Sequence, residues 1–236
     1  MLLNMEFLKQ TFWVALSGIP TTLKLTFISM LIASPFAFYM ALAKMHQKKY
    51  VKNVIAVYIS FIRGTPMVLQ ILIIYSLLPS LLNLIIKKLG IAINVFDVNP
   101  ILYAYIVFTL NTIAVLSEVF RSALSTVSKE QMEAAQCAGL SNFRAYTRII
   151  IPQALVVALP NLCNVTINLL KGTSLAFLMT VKDITALAKM EAAYGYNYIE
   201  AYIDVFIIYI LLCVVIQQIF KSVEAHIGAY RVIKIH

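Results

Sequence analysis

Apolar residues dominate five long segments of this chain, and short polar connectors separate them. Each segment is long enough to cross the roughly 30 Å hydrocarbon core of a bilayer as a helix. The pattern predicts an all-α integral membrane protein of about five transmembrane helices, forming one domain over residues 1–236. The predicted spans are 22–43, 54–86, 101–120, 154–180 and 201–220. Residues 1–19 are mixed and include Trp13, so they predict an interfacial helix before the first span.

Some spans contain residues that interrupt a helix. The sequence Arg63-Gly64-Thr65-Pro66, with Gln70 beyond it, divides the second span, because proline removes a backbone donor and glycine loosens the turn. We expect the charged Arg63 to lie near the cytoplasmic interface or in a protein-lined cavity, where it anchors the break or gates a path. Similar interruptions are predicted at Pro35, Pro160 and 171–174.

One soluble-looking stretch, residues 128–152, lies between the third and fourth spans; we call it the polar block. Ser128 and Gln131 weakly match a capping box, which predicts that a helix begins here. Glu130 lies near the positive end of that helix, where a carboxylate is stabilised. Gly139 suits the left-handed residue that ends it.

The rest of the polar block predicts a second helix after a sharp turn. Ser141 is placed to cap a helix over 142–150, and Pro152 is expected to separate this helix from the next span. One small, smooth face is predicted from Ala134, Ala135 and Ala138. The block is therefore expected to be a rigid knob that a soluble partner grips.

Composition excludes an ordinary soluble protein. The chain has 236 residues, of which 61% are hydrophobic and only 12% charged, and its mean hydropathy is +0.87. A soluble domain carries roughly 25% charged residues. The net charge of +9 does not indicate nucleic acid, because the basic residues lie in connectors between apolar segments. The three cysteines and three histidines are scattered and predict no metal site or disulfide framework.

Lysine and arginine in the connectors predict the orientation. With the C-terminus inside, eleven such residues fall in the cytoplasm and six on the other side. The eleven are Lys44, Lys48, Lys49, Lys52, Arg121, Lys129, Arg144, Arg148, Lys221, Arg231 and Lys234, and the six are Lys9, Lys24, Lys87, Lys88, Lys182 and Lys189. The bias predicts a plasma or inner membrane protein whose N-terminus is outside and whose polar block is cytoplasmic.

The polar block carries a specific resemblance. Glu133-Ala134-Ala135, three residues, Gly139, nine residues, then Ile149-Ile150-Ile151-Pro152 resembles the EAA loop of ABC importer permeases, with Ile151 where that pattern has leucine. The stretch Lys171–Phe177, with Glu200-Ala201-Tyr202, looks most like permeases for cystine and related sulfur amino acids. Further stretches resemble the polar-amino-acid branch of these permeases. They are Arg63-Gly64-Thr65-Pro66 with Gln70, Leu110-Asn111-Thr112, Ser117–Arg121, Pro152–Leu155, Ala158-Leu159-Pro160 and Lys171–Leu175.

The resemblance implies a type I importer permease that works in a dimer, with itself or with a homologue. Each EAA loop is expected to sit in a cleft of a cytoplasmic ATPase dimer, which binds the ATP and Mg, while an extracytoplasmic binding protein delivers the substrate. By this resemblance the residues that couple to the ATPase are Glu133, Ala134, Ala135, Gly139 and Leu140. Glu133 is expected to make a polar contact with the ATPase, and Gly139 is expected to form the turn.

Polar residues within the spans are the candidates for a substrate pathway. Asn161, Asn164 and Asn168 lie three and four residues apart on one face of the fourth span, and Lys171 continues that face. We expect a substrate carboxylate to meet Lys171. The alternative is that it meets backbone amides freed between Gly172 and Ser174, beside the Thr173 and Ser174 hydroxyls. The asparagines equally fit interhelical hydrogen bonds.

Glu118 has two interpretations. It lies three residues before Arg121, so the two can pair on one helix face, and it can alternatively attract a substrate amino group.

Other functions fit less well. The chain has no G-x-x-x-x-G-K-[ST] motif, so a separate subunit must supply ATP hydrolysis. An intramembrane enzyme would need paired catalytic groups, and a secondary carrier commonly shows internal repeats. Cystine is the favoured cargo, with glutamine, arginine or another polar amino acid as alternatives. Gly172 stands where many permeases of this kind have aspartate, so a substrate site built on that acid is not expected here.

Overall fold

The computed structural model describes residues 3–46, 49–91 and 95–232, the last five of these by backbone alone. Lys48 and Lys234 from the charge count lie outside the described residues, as does His236. The helices of the described ranges are α1 (Met5–Leu16), α2 (Ile19–His46), α3 (Lys49–Gly64), α4 (Met67–Lys88), α5 (Pro100–Ser125), α6 (Lys129–Cys137), α7 (Asn142–Ala145), α8 (Ile151–Gly172), α9 (Ile184–Gly195) and α10 (Tyr198–Val232). Short 3-10 helices cover Val95–Asp97 and Thr173–Met179, and a π-helical turn covers Tyr146–Ile150.

Five stretches of the described chain are long and apolar enough to cross a membrane, which confirms the predicted fold class. They are Met5–His46, Met67–Lys88, Pro100–Ser125, Asn142–Met179 and Tyr198–Ile227. Within the first stretch a turn at Ser17–Gly18 divides α1 from α2. The second predicted span consists of two helices, α3 and α4, and only α4 meets the length and hydropathy of a span by itself.

Three predicted interruptions are absent from the structure. Pro35 lies inside α2, Pro160 lies inside α8, and Pro152 stands in the first turn of α8 without separating it from the helix before it. A proline costs a helix one hydrogen bond, and in a bilayer no water competes for the remaining ones, so the helix persists. Before Pro152, the wider π turn at Tyr146–Ile150 carries the helix from α7 into α8.

Small residues allow the helices to approach closely. Ala33, Ala37 and Ala41 are buried on one face of α2, which packs along α5. At Gly18, a Cβ atom would lie 2.5 Å from the backbone nitrogen of Ile184, so the turn between α1 and α2 requires glycine. α8 packs against α5 and α10, while α1 and α9 pack against each other and against α10. One face of α8 remains exposed.

Candidate functional site: the polar block and the break beside α5

The polar block folds as a helix, a tight turn and a second helix. α6 ends in a Schellman motif: the Leu140 N–H donates to the Ala135 carbonyl at 3.0 Å, and the Gly139 N–H donates to the Gln136 carbonyl at 2.9 Å. Gly139 has φ +77°, the left-handed conformation that the sequence predicted. The Ser141 hydroxyl caps α7 by accepting from the Arg144 N–H at 3.4 Å. The turn is thus closed by hydrogen bonds among near neighbours.

The start of α6 differs from the predicted capping box. Ser128 occupies the N-cap position but makes no side-chain cap hydrogen bond. Hydrogen bonds from the backbone N–H of Glu130 and from the Ser128 hydroxyl hold the pKa of the Glu130 carboxyl below its ordinary value. The Ser128 hydroxyl thus donates to the Glu130 carboxylate instead of accepting from a backbone N–H of the helix.

The block presents only part of the predicted contact surface. Glu133 and Ala134 are exposed, whereas Ala135 is buried and Leu140 half-buried. The smooth face therefore consists of Ala134 and Ala138, and the prediction that Ala135 shares it is wrong. Ala135 points into the protein because α6 needs an apolar stripe to rest on the second helix of the block.

The polar block is attached to the ends of the spanning helices. Nε2 of His46, at the end of α2, lies 2.5 Å from the Tyr146 hydroxyl in the π turn. Beneath this pair, Met132, Tyr146 and Ile149 pack on a buried cluster that contains Ala41 and Ala123. These contacts join the polar block to α2 and α5. No sequence pattern indicates the His46 contact, since the two residues lie 100 positions apart.

Glu118 is fully engaged in ion pairs. Its Oε1 accepts from Lys44 Nζ at 2.5 Å, and its Oε2 lies 2.9 Å from Arg121. The structure therefore supports the pairing interpretation, since two basic side chains already compensate the charge of this carboxylate. Lys44 was missed as a partner because it lies 74 residues away, on α2.

The break between α3 and α4 lies beside the middle of α5. Nε2 of Gln70 donates to the Ile62 carbonyl at 2.8 Å and to the Thr65 carbonyl at 3.1 Å, which satisfies backbone groups that the break exposes. Oε1 of Gln70 accepts from Asn111 at 3.4 Å, and the Tyr58 hydroxyl donates to the Leu110 carbonyl at 2.7 Å. These contacts fix Gly64, Thr65 and Pro66 at the depth of residues 110–111.

Arg63 is exposed at the end of α3 and forms no ion pair within the described chain. Because the break is anchored by Gln70, Arg63 is not the residue that holds it. A guanidinium at the depth of the middle of a spanning helix cannot face lipid cheaply. Its position beside the middle of α5 favours the expected alternative of a protein-lined cavity.

The asparagine face of α8 reaches this break at Asn168. Asn161, Asn164 and Asn168 are exposed, as is Lys171. Asn168 lines a cavity of about 130 Å³ together with Asn111 and Thr112 of α5, and Met67 at the start of α4. Sequence spacing predicted the shared face of α8. Only the structure shows that Asn111 lies near this face together with Gln70, which we call the brace because its amide satisfies the carbonyls that the break exposes.

The end of α8 does not free backbone amides as predicted. The helix tightens into a 3-10 turn, and the Thr173 N–H donates to the carbonyls of Leu169 and Leu170. The Thr173 and Ser174 hydroxyls donate to the Leu170 and Lys171 carbonyls at 2.6 and 2.7 Å, and Thr173 is buried. Of the residues proposed at this end, Lys171 alone remains free for a carboxylate.

Comparisons with known proteins agree with this geometry. The profile of the family described as binding-protein-dependent transport system inner membrane component matches residues 33–228. The L-cystine transport system permease protein TcyL of Bacillus subtilis is 34% identical over 209 residues, covering 89% of this chain and 85% of that protein. The histidine/lysine/arginine/ornithine transport system permease protein HisM of Escherichia coli K12 is 31% identical over 222 residues, covering 93% and 92%. A crystal structure of an amino acid ABC transporter with histidines superposes with a TM-score of 0.78 at 28% identity, covering 96% of this chain and all of that one.

Proposed function

Since this chain belongs to the family of binding-protein-dependent transport system inner membrane components, we propose that its cargo is a polar amino acid, with cystine favoured over cationic amino acids. The chain is a multi-pass membrane protein and the permease subunit of an ATP-driven amino-acid importer. It is not an enzyme, because a separate subunit hydrolyses the ATP. Family membership also implies an ATPase and a substrate-binding protein as partners.

The charges near the break support a zwitterionic cargo. Arg63 and Lys171 are exposed cations, and the only carboxylate on α4, α5 and α8 is Glu118, which two basic side chains neutralise. A second cation on the substrate would meet no free acid here, and like charges in a low-dielectric path repel strongly. This distribution favours cystine or glutamine over lysine or arginine.

The spacing of the asparagine face supports cystine in particular. The Cα atoms joined by a disulfide lie about 4.4–6.8 Å apart, so cystine presents two zwitterionic groups at that separation. Along a helix, residues three and four apart differ in height by about 4.5 and 6 Å. Asn161, Asn164 and Asn168 thus repeat amide groups at the spacing of the two ends of the ligand. The Asn168–Asn111 cavity would hold one end.

Two exposed asparagines in a spanning helix also need a polar neighbour. Asn161 and Asn164 make no hydrogen bond within the described ranges. Facing lipid would leave these amides unsatisfied, so we place a second permease copy or a homologue across this face, with the pathway between the two. The asparagines then serve both as contacts between subunits and as the lining of the path.

Uptake with a substrate panel tests the cargo. The permease, its ATPase and its binding protein are reconstituted in liposomes, and ATP-dependent entry of labelled cystine, glutamine and arginine is compared. We expect cystine to enter fastest and arginine slowest, and Lys171→Met to reduce cystine uptake more than the same change at exposed Lys182. Arginine uptake equal to cystine uptake would contradict the proposal, and uptake without the ATPase would indicate a secondary carrier.

Orientation has a direct test in a native cysteine. Cys137, in α6, is exposed, whereas Cys163 is buried and Cys213 half-buried. With the polar block in the cytoplasm, a membrane-impermeant thiol reagent should label Cys137 in inside-out vesicles and not in right-side-out cells. Cys137→Ser is the control and should remove that label. Equal labelling of intact cells would contradict the proposed orientation.

A further inference from the structure

Asp204 is a charged side chain without a partner inside a spanning helix. It lies on α10, its exposed fraction is 0%, and neither carboxylate oxygen has a hydrogen-bond partner in the part of the chain that the structure describes. The ion pairs of the described residues both belong to Glu118, on the other side of the bundle. Burying an uncompensated carboxylate is one of the most unfavourable arrangements in a folded protein.

A second unpartnered oxygen lies on the helix facing it. Asp204 stands between Ala201 and Ile208 on the face of α10 that packs with Ala15 of α1 in one buried cluster. Thr11 precedes Ala15 by one helical turn, so it shares that inner face of α1. Thr11 is also fully buried, and its hydroxyl has no hydrogen-bond partner within the described ranges.

The other charged groups on the packed helices are engaged elsewhere or exposed. Glu200 accepts from the Asn4 N–H at 3.0 Å, and Asp183 accepts from the Tyr209 hydroxyl at 3.3 Å and from the Ala186 N–H at 2.8 Å. The Lys189 ammonium lies 3.9 Å from the centre of the Phe177 ring. Exposed or partly exposed at the surface of α1 and α9 are Glu6, Lys9 and Glu191. None of these residues forms an ion pair with Asp204.

We propose that Asp204, with the Thr11 hydroxyl, takes up a small monovalent cation, a sodium ion or a proton, that neutralises the carboxylate between α1 and α10. Hard cations prefer oxygen ligands, and a single carboxylate compensates a single positive charge. Divalent cations are disfavoured, because they need several carboxylates or many oxygens and the described chain groups no three acidic, histidine or cysteine side chains here. The cation would fasten α1 to the bundle.

Thermal unfolding of the assembled importer in lipid nanodiscs tests the proposal. The unfolding midpoint (Tm) is measured while sodium replaces N-methylglucamine from about 1 to about 300 mM at constant ionic strength, and separately from about pH 6.5 to 8.5. The variants are Asp204→Asn, which keeps the shape and removes the charge, and Asp97→Asn, an exposed carboxylate, as the matched control. Thr11→Val removes the second oxygen.

For a sodium ion, the wild-type Tm should rise by roughly 3–5 °C for each tenfold increase in sodium above the dissociation constant. Asp204→Asn should abolish this rise, and Thr11→Val should shift it to higher sodium. For a proton, sodium should have no effect. The native state then binds a proton that the unfolded state has lost, so the wild-type Tm should fall as pH rises. Asp204→Asn should be less sensitive to pH, while Asp97→Asn should follow the wild type.

The proposal is overturned if the wild type and Asp204→Asn respond identically to both sodium and pH. Burial raises the pKa of Asp183 to about 6, and its titration is common to both proteins, so the difference between them isolates Asp204. If Asp204→Asn does not accumulate in the membrane, Asp204→Ser replaces it. If neither accumulates, a wild-type Tm that is constant with sodium and does not fall between about pH 6.5 and 8.5 overturns the proposal.

Discussion

The polar block and the break between α3 and α4 are both interruptions built from glycine, proline and polar residues, yet they are held in opposite ways. In the turn between α6 and α7, the hydrogen bonds join residues three to six positions apart, such as Gln136 with Asn142, and the long-range bond from His46 reaches the block only beyond this turn, at Tyr146. At the break, Gln70 bonds to Thr65 and Ile62 five and eight positions back, but other bonds cross to α5: Gln70 with Asn111 across 41 positions, and Tyr58 with Leu110 across 52.

The solvent explains the difference. The backbone of an exposed turn can use water for any group that its own residues do not satisfy, so a short sequence suffices to shape it. A break at the depth of the middle of a spanning helix has no water to bond to, so every carbonyl that it frees needs a donor from the protein. The turn of the polar block is therefore encoded locally, whereas the candidate pathway exists only when the helices assemble.

Replacing the brace at the break should have the largest effect on stability. Gln70→Leu removes the donor for the Ile62 and Thr65 carbonyls, and each unsatisfied buried group costs about 1–3 kcal/mol. We expect a loss of about 3 kcal/mol, or a Tm lower by roughly 6–12 °C. Gln153→Leu is the control, since that exposed side chain bonds only within its own helix. Equal Tm values for the two variants would mean that the break needs no brace.

Breaking the ion pair between Lys44 and Glu118 should lower the stability less than replacing Gln70 does. Lys44 and Glu118 are about a quarter exposed, with side-chain exposures of 27% and 22%, so solvent screens part of their attraction. Lys44→Met should lower the stability by about 1–2 kcal/mol, seen as a Tm lower by roughly 2–8 °C. In a Glu118→Gln background, Lys44→Met should cost less than in the wild type, because the carboxylate that Lys44 pairs with is then absent. Strictly additive single and double variants would contradict a direct pair.

Damage within the polar block should remain local. Gly139→Val places a β-branched residue at φ +77°, which costs about 1–2 kcal/mol of local strain. Since nothing lies within 4 Å of the added Cβ, we expect the global Tm to change little while ATP-driven uptake falls by up to about tenfold. Gly139→Asn, which tolerates the left-handed region, should retain most uptake. A Tm loss as large as that of Gln70→Leu would remove the distinction between the two regions.

The smallest effect is expected at the cap of α7. Ser141→Ala removes the acceptor for the Arg144 N–H and should cost about 0.5–1 kcal/mol of helix stability, for a few-fold loss of uptake. Ser128→Ala is a matched control, because that serine stands at an N-cap position without a cap hydrogen bond. Uptake that is lower in Ser128→Ala than in Ser141→Ala would contradict the observed capping.

The same distinction explains what the sequence could predict. The five spans follow from hydropathy alone, and the turn at Gly139 with its Ser141 cap follows from residues within reach of one another. The Pro35 and Pro160 predictions failed because a local rule about proline was applied where the bilayer favours a continuous helix. Ala135 was assigned to the contact face because small size in a sequence does not reveal which side of a short helix is covered.

The site beside α5 was only partly predictable. Spacing gave the asparagine face of α8, and the break at Pro66 was visible as a motif. The Gln70–Asn111 bond, the Lys44 partner of Glu118 and the burial of Asp204 depend on how separate helices pack. A single sequence carries no periodicity that links positions on different helices.

We propose that the polar block transmits ATP hydrolysis to the spans, and a charge reversal at the exposed Glu133 is the test of this role. ATP-driven uptake is measured in liposomes that contain the permease, its ATPase and its binding protein, for Glu133→Arg and for Gln131→Arg, an exposed position on another side of α6. We expect Glu133→Arg to abolish uptake and Gln131→Arg to retain at least half of it, with both proteins unfolding at the wild-type Tm. Undiminished uptake with Glu133→Arg would show that the polar block does not transmit ATP hydrolysis through this residue.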